Sequence, residues 1–183
     1  MTGSVLRFSG PALALATLLV ASHARADVSS WFFTGAGPVA VAQPGQSTEW
    51  LSSLQVDAGI GSSPAASFAT GGLLRMHVHF GGAADFGAFW RTATGGYVRG
   101  DWGAALDLGG YLRAGGDKAP GLAGTLSLGM PLGITLNLNA GRSVDETNTF
   151  AAVLGIDFAR FTIYRSTGLD WFPNVFPSPS KER

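Results

Sequence analysis

Cysteine is absent from this sequence, and lysine occurs only at Lys118 and Lys181. The absence of cysteine excludes a disulfide framework and a lipid anchor attached through a cysteine. Charged residues make up 13% of the chain, which is about half the fraction found in an average soluble domain. Because soluble proteins hydrate their surfaces largely with lysine and glutamate, this composition disfavours an ordinary water-exposed surface.

The formal net charge of the 183-residue chain is zero, so its composition predicts no nucleic-acid partner. No long segment has the apolar period of a helix, and no repeat of fixed length is found. The sequence is instead rich in glycine, at 27 positions. Short alternating runs separated by glycine, proline and serine are typical of β-strands joined by turns.

The first 26 residues have the pattern of a cleaved secretory signal. Arg7 supplies the positive charge, and residues 11–21 are apolar (PALALATLLVA). Residues 24–26 (ARA) form a small-x-small cleavage site. The apolar run is too short to cross about 30 Å of hydrocarbon as a helix. We therefore expect export, and an exported chain without cysteine or helical spans fits the outer membrane of a Gram-negative bacterium better than the periplasm.

The segment from Tyr97 to Arg113 shows most clearly how apolar and polar residues alternate. Its even positions are apolar or small, and several of its odd positions are charged. The larger apolar members are Val98, Trp102, Leu106 and Leu108, and the charged members are Arg99, Asp101, Asp107 and Arg113. Since successive side chains of a strand point to opposite faces, this segment is predicted to have one apolar and one charged face.

Eight runs of this kind follow the signal. The predicted strands are Trp31–Val41, Trp50–Gly61, Ser67–Phe80, Asp85–Thr92, Tyr97–Arg113, Leu122–Met130, Ile134–Ala140 and Thr149–Phe158. Eight strands of about ten residues form the smallest standard outer-membrane barrel, an all-β, antiparallel, up-and-down sheet without free edges. Ten strands are the alternative if residues 107–113 or 161–165 form strands of their own. Residues 27–165 would be the barrel domain, and the Pro/Ser-rich residues 166–183 an irregular tail.

The breaks between the predicted strands indicate which end of the barrel faces outward. The breaks after the first, fifth and seventh strands are long or polar, as outward-facing loops are. The breaks after the fourth and sixth strands are short, as periplasmic turns are. The tight turn Pro131–Leu132–Gly133 is predicted to pair Met130 with Ile134.

Alternation alone leaves open which face lies inside, because a lipocalin-like barrel alternates with its apolar face inward. That alternative would be a periplasmic carrier of an apolar ligand. The polar faces favour the opposite orientation, since arginine, aspartate and small residues fit a narrow lumen and form compact ion pairs there. The predicted lumen charge network comprises Asp57, Arg75, His77, His79, Asp85, Arg91, Arg99, Asp101, Asp107, Arg113 and Asp157. The predicted lipid-facing set comprises Leu74, Met76, Val78, Trp102, Leu106, Leu128, Leu136 and Ile156.

With its signal and eight amphipathic runs, the chain resembles the small outer-membrane β-barrels of the OmpA/OmpX-like class from Trp31 to about Arg165. The resemblance implies two partners, the bilayer of the outer membrane and the outer-membrane assembly machinery. It also implies a structural, envelope or surface-interaction role for the outer loops. Eight strands leave an interior that side chains can fill, so we expect a salt-bridged, largely closed interior instead of an open porin-like channel.

The two histidines after the signal, His77 and His79, point the same way if they lie on one strand. They could chelate a metal with Asp57 or Asp85, but two ligands at this spacing are a weak signal, and we favour polar lumen residues instead. An acyl-chain hydrolase or transferase would need a histidine beside a nucleophile where lipid can reach it. The sequence therefore predicts no catalytic residue, no metal site and no cofactor, with the lipid-modifying enzyme kept as an alternative.

Overall fold

The computed structural model describes residues 28–64, 66–115 and 118–162, so the predicted signal and C-terminal tail lie outside the described residues. Eight antiparallel strands follow one another in chain order and close into a barrel. Their bounds are β1 Ser29–Ala42, β2 Glu49–Gly61, β3 Phe68–His79, β4 Ala83–Thr94, β5 Gly103–Ala114, β6 Pro120–Gly129, β7 Ile134–Ser143 and β8 Asn148–Asp157. The predicted fold class is confirmed with eight strands. In the described part of the chain the alternative of ten strands is wrong, because β5 is continuous and residues 158–162 are helical.

The strand register shows how the sheet closes. Following paired residues around the barrel from Ser29 leads through every strand and returns to β1 at Val39, ten residues further along. A closed sheet requires such a stagger, which tilts the strands against the barrel axis. The tilt brings side chains from distant strands to one level of the lumen.

The apolar face of each strand points outward. Leu74 is 65% exposed and Leu106 is 50% exposed, whereas their neighbours Arg75 and Asp107 are buried in the lumen. Seven of the eight predicted lipid-facing residues occupy outward positions of strands, and Trp102 lies exposed just before β5. The pattern is the reverse of a soluble barrel, whose apolar side chains fill the interior.

Two short helices and a turn cover one end of the barrel. They are α1 (Gly95–Val98), the 3-10 turn Pro131–Gly133 and α2 (Phe158–Thr162). The predicted pairing of Met130 with Ile134 across this turn is confirmed, since the Met130 N–H donates to the Ile134 carbonyl at 2.8 Å. Among the described residues, no helix combines the length and the apolar character that crossing a membrane would require.

The fifth strand begins at Gly103 and not at Tyr97, where the sequence predicted its start. Residues 95–98 form α1, because the Thr94 hydroxyl caps the helix and Gly100 takes a positive φ of 81° that ends it. Arg99, the residue after α1, is exposed, and Asp101 lies partly exposed before β5. The assignment of Arg99 to the lumen is therefore wrong, and Asp101 lies in the connection before β5 and not on a strand. The alternation over this segment reflects a capped helix and a turn.

The two ends of the barrel differ in how they are built. The loop end carries the connections after β1, β3, β5 and β7, which are residues 43–48, 80–82, 115–119 and 144–147. The turn end carries residues 62–67, 95–102 and 130–133 together with α2. The prediction that the break after the fourth strand is short is wrong, because that connection contains α1.

Candidate functional site

The centre of the lumen is occupied by an arginine–aspartate cluster that starts with Arg75 and Asp57. These residues lie directly opposite each other on β3 and β2, and their side chains form two parallel hydrogen bonds, each 2.8 Å long. Arg75 Nη2 also donates to Asp107 Oδ2 on β5 at 2.6 Å. One guanidinium therefore joins carboxylates from both sides of the lumen, in the bidentate geometry that favours arginine over lysine.

Arg91 completes this cluster from β4. It faces Asp107 in the register and donates to both oxygens of that carboxylate, at 2.6 and 2.8 Å. Its Nη2 also lies 3.8 Å from Asp57 Oδ2. Two arginines and two aspartates thus balance one another in a buried group, which we call the central cluster (Asp57, Arg75, Arg91 and Asp107). Such balance is required because an unpaired charge is very costly inside a barrel.

Neutral polar side chains extend the central cluster into a ring. Gln55 Nε2 donates to both Asp57 oxygens at 3.0 and 2.9 Å, and Asn139 Nδ2 donates to Gln55 Oε1 at 3.0 Å. The Thr125 hydroxyl donates to Asn139 Oδ1 at 2.6 Å and accepts from Arg75 Nη1. This closed circuit of side-chain hydrogen bonds connects β2, β3, β6 and β7 across the lumen.

The remaining wall at this level is apolar. Phe33 and Val39 from β1 pack with Ala151 and Val153 from β8, and all four are buried. These four side chains and the central cluster are all buried inside the barrel. The expected consequence is a barrel without a continuous aqueous path.

The loop end contains a second charged group. Arg113 forms two hydrogen bonds with Asp85, at 2.8 and 2.9 Å, from the directly opposite position on β5. His79 Nε2 lies 3.5 Å from Asp85 Oδ2, and the rings of His77 and His79 meet edge to face with centroids 4.7 Å apart. Four residues of the predicted lumen network are thus brought together here, separate from the central cluster.

The two histidines border a small cavity. It has a volume of about 30 Å³ and is lined by His77, Asp85 and Tyr111 among others, which is room for about two water molecules. Ligand pockets normally measure about 300–1,000 Å³. Among the described residues, no set of three histidine, aspartate or glutamate side chains is placed to hold a metal ion.

The loop between β7 and β8 is ordered by its own acidic side chain. The Ser143 hydroxyl donates to Asp145, and the Thr147 N–H donates to Asp145 Oδ1 at 3.1 Å. These hydrogen bonds, with that of Ser143 the largest, lower the pKa of Asp145. Asp145 is therefore engaged in structuring its loop.

The turn end is closed by Arg160 of α2, a residue that the sequence analysis did not select. Asp157 Oδ1 accepts hydrogen bonds from the N–H groups of Ala159 and Arg160, at 3.0 and 3.2 Å, and so starts the helix. The Arg160 guanidinium then lies 4.4 Å from the centroid of the Tyr97 ring. An aspartate at a strand end is a typical N-cap residue, so Asp157 could have indicated that a helix begins here.

Arg160 holds several backbone segments at once. It donates to the Tyr97 carbonyl at 2.6 Å, the Asp101 carbonyl at 2.8 Å, the Met130 carbonyl at 3.1 Å and the Thr135 hydroxyl at 2.8 Å. Beside it, Trp31, Tyr97 and Val98 form a buried apolar cluster with alanines of β3, β4 and β5. Burial raises the pKa of the Tyr97 phenol, so the ring that lies against the Arg160 guanidinium is uncharged.

Replacing Arg160 with methionine is expected to lower the free energy of unfolding by about 1–3 kcal/mol, because buried carbonyl groups lose their donors. Urea unfolding of the folded protein in lipid vesicles, followed by tryptophan fluorescence, measures the change. Arg99→Met is the matched control, because Arg99 is exposed and its replacement should change stability by no more than about 0.5 kcal/mol. Equal effects of the two substitutions would contradict the role assigned to Arg160.

No family model and no curated protein matches the chain. Among solved structures, it is similar to the crystal structure of Ail, the attachment invasion locus protein of Yersinia pestis, with 11% identity and a TM-score of 0.31. That match covers 72% of this chain and 97% of the other. The order and closure of its own strands show that this chain has an eight-stranded, antiparallel closed-barrel fold.

Proposed function

We propose that this protein is an outer-membrane β-barrel with a closed interior and a structural role in the cell envelope. The observation that carries the proposal is the orientation of the side chains. Leucines and aromatic residues cover the outside of the barrel, and the central cluster lies buried within it. An exposed apolar belt around a closed barrel is suited to hydrocarbon and costly in water.

The carrier alternative requires the opposite arrangement. A carrier of an apolar ligand would need an apolar cavity inside the barrel, whereas this lumen contains ion pairs and the buried side chains of Phe33, Val39 and their neighbours.

The acyl-chain enzyme also lacks support, because His77 and His79 face the lumen and are buried. Neither alternative is favoured by a specific feature of the described residues.

The loop end supports an envelope role over an adhesive one. Its connections comprise only residues 43–48, 80–82, 115–119 and 144–147, so they offer little surface beyond the membrane. Binding residues concentrate in loops, and outer-membrane barrels generally carry longer loops on the outward side than on the periplasmic side. We therefore place the function in the membrane-embedded barrel, which export and the assembly machinery would deliver to the outer membrane.

Two measurements test the proposed function. The folded protein should migrate on a gel differently before and after boiling, because a closed barrel resists unfolding by detergent at room temperature. Reconstituted into a planar bilayer, it should give no steady ion current, because the central cluster closes the lumen. Recovery from the soluble periplasm without detergent, or a stable conductance of the unmodified protein, would contradict the proposal.

A further inference from the structure

A groove lies on the outside of the barrel, across the outward faces of β5 to β8. It is shallow and open to the outside, with a volume of about 720 Å³. Its floor consists of the small residues Gly110, Gly124 and Ala140, and its walls include Leu108, Leu122 and Phe150. The groove therefore offers small residues flanked by larger apolar side chains.

The loop-ward end of this groove carries a positive charge. Arg142 belongs to its lining and is the one charged residue at an outward position of the eight described strands. It lies between Leu122 of β6 and Asn148 of β8 in the register. Its side chain is 64% exposed and meets Glu146 at 3.7 Å, in a surface pair that is also exposed. Such a pair contributes little stability, so a stronger anion can displace it.

The position of Arg142 relative to the groove favours one kind of occupant. An anionic lipid has a phosphate at the membrane surface and acyl chains that extend toward the midplane. Arginine near the end of a barrel strand lies at the level of such headgroups, and guanidinium binds phosphate through paired hydrogen bonds. A second copy of the chain joined by two-fold symmetry through this groove would instead bring two Arg142 side chains together.

From the groove and its single cation, we propose that this face binds an anionic lipid of the loop-side leaflet. Its phosphate is held by Arg142 and Asn148, and one acyl chain lies over Gly110, Gly124 and Ala140. The proposal rests on the proposed function, because the groove must face a bilayer. It adds one specific lipid-binding site to an outer surface that otherwise contacts the bilayer non-specifically.

The test compares lipids retained by the folded full chain in native mass spectrometry. Phosphatidylglycerol and phosphatidylcholine with the same acyl chains are supplied at equal concentration. We expect the unmodified protein to retain phosphatidylglycerol preferentially. Arg142→Gln should reduce its retention about tenfold, as expected when a hydrogen bond to a charged group is lost.

A second pair of variants tests the apolar part of the site. Gly110→Leu should fill the groove and reduce retention of both lipids, and an added Cβ at Gly110 meets its nearest atom only at 3.6 Å. Gly72→Leu is the matched control, because Gly72 also faces outward and an added Cβ there meets nothing within 4 Å. The control should retain lipid as the unmodified protein does.

Equal retention of the two lipids by the unmodified protein would overturn this proposal, and that comparison depends on no variant. Retention unchanged by both Arg142→Gln and Gly110→Leu would overturn it as well. A dimer of the unmodified protein that Gly110→Leu dissociates would assign the groove to a second copy instead. In each case the boiled and unboiled protein would still migrate differently, so a failed lipid site is distinguishable from a failed barrel assignment.

Discussion

Replacing Asp107 with asparagine is expected to lower the free energy of unfolding by about 3–5 kcal/mol, the usual cost of breaking a buried ion pair from one side. Asp107 accepts hydrogen bonds from Arg75 at 2.6 Å and from Arg91 at 2.6 and 2.8 Å. Its charge therefore balances two guanidinium groups that water does not reach. In the variant, Asp57 alone remains to balance both arginines, which leaves one positive charge buried without compensation.

Urea unfolding in lipid vesicles measures this loss, and Glu146→Gln provides the matched control. The control makes the same change from carboxylate to amide, but in an exposed pair with Arg142 at 3.7 Å, so it should change stability by about 0–1 kcal/mol. A loss at Asp107 no larger than that at Glu146 would contradict the buried central cluster.

A double variant shows whether the loss comes from unbalanced charge. Arg91→Met combined with Asp107→Leu removes one positive and one negative charge and leaves Arg75 paired with Asp57 at 2.8 Å. Because apolar replacement of both partners of a buried pair is often nearly neutral, the double variant should be more stable than Asp107→Leu alone. A double variant that is less stable than the single one would indicate that packing, and not charge, determines the effect.

The alternation of side chains made most of the barrel predictable from the sequence. The period of two identifies which residues share a face, and it places Arg75 and Asp107 together on the charged side without any knowledge of the register. The pattern does not identify which charged residues pair with each other. Asp57 lies opposite Arg75, and Asp85 lies opposite Arg113, but each pairing depends on the lengths of the intervening turns, which the pattern alone leaves undetermined.

The errors fall where the backbone leaves the sheet. Arg99 and Asp101 continue the alternation by chance, although a capped helix and a glycine with positive φ place them outside the strand. Arg160 was missed because its carbonyl acceptors come from two separate connections, residues 95–102 and 130–133. Only the closure of the barrel brings those carbonyl groups to one point, so no local sequence signal specifies their contact.

Replacing Leu74 with arginine is expected to lower the free energy of unfolding in a bilayer by about 2–4 kcal/mol, the cost of a cation near the midplane on the lipid face of a barrel. Leu74 lies in the middle of β3, where it is 65% exposed. Its outward neighbours on the adjacent strands are Ala58 and Ala88, which offer no counter-charge. The arginine would therefore be desolvated without a partner.

Leu112→Arg is the matched control for this substitution. Leu112 is 64% exposed, as Leu74 is, but it lies near the loop end of β5, where an arginine on the lipid face costs about 0–1 kcal/mol. If the outer face met water instead, the two substitutions would be equivalent, and each would change stability by no more than about 0.5 kcal/mol. A difference between the two in lipid vesicles thus depends on the depth of each position in hydrocarbon, and equal tolerance would place the apolar belt in water.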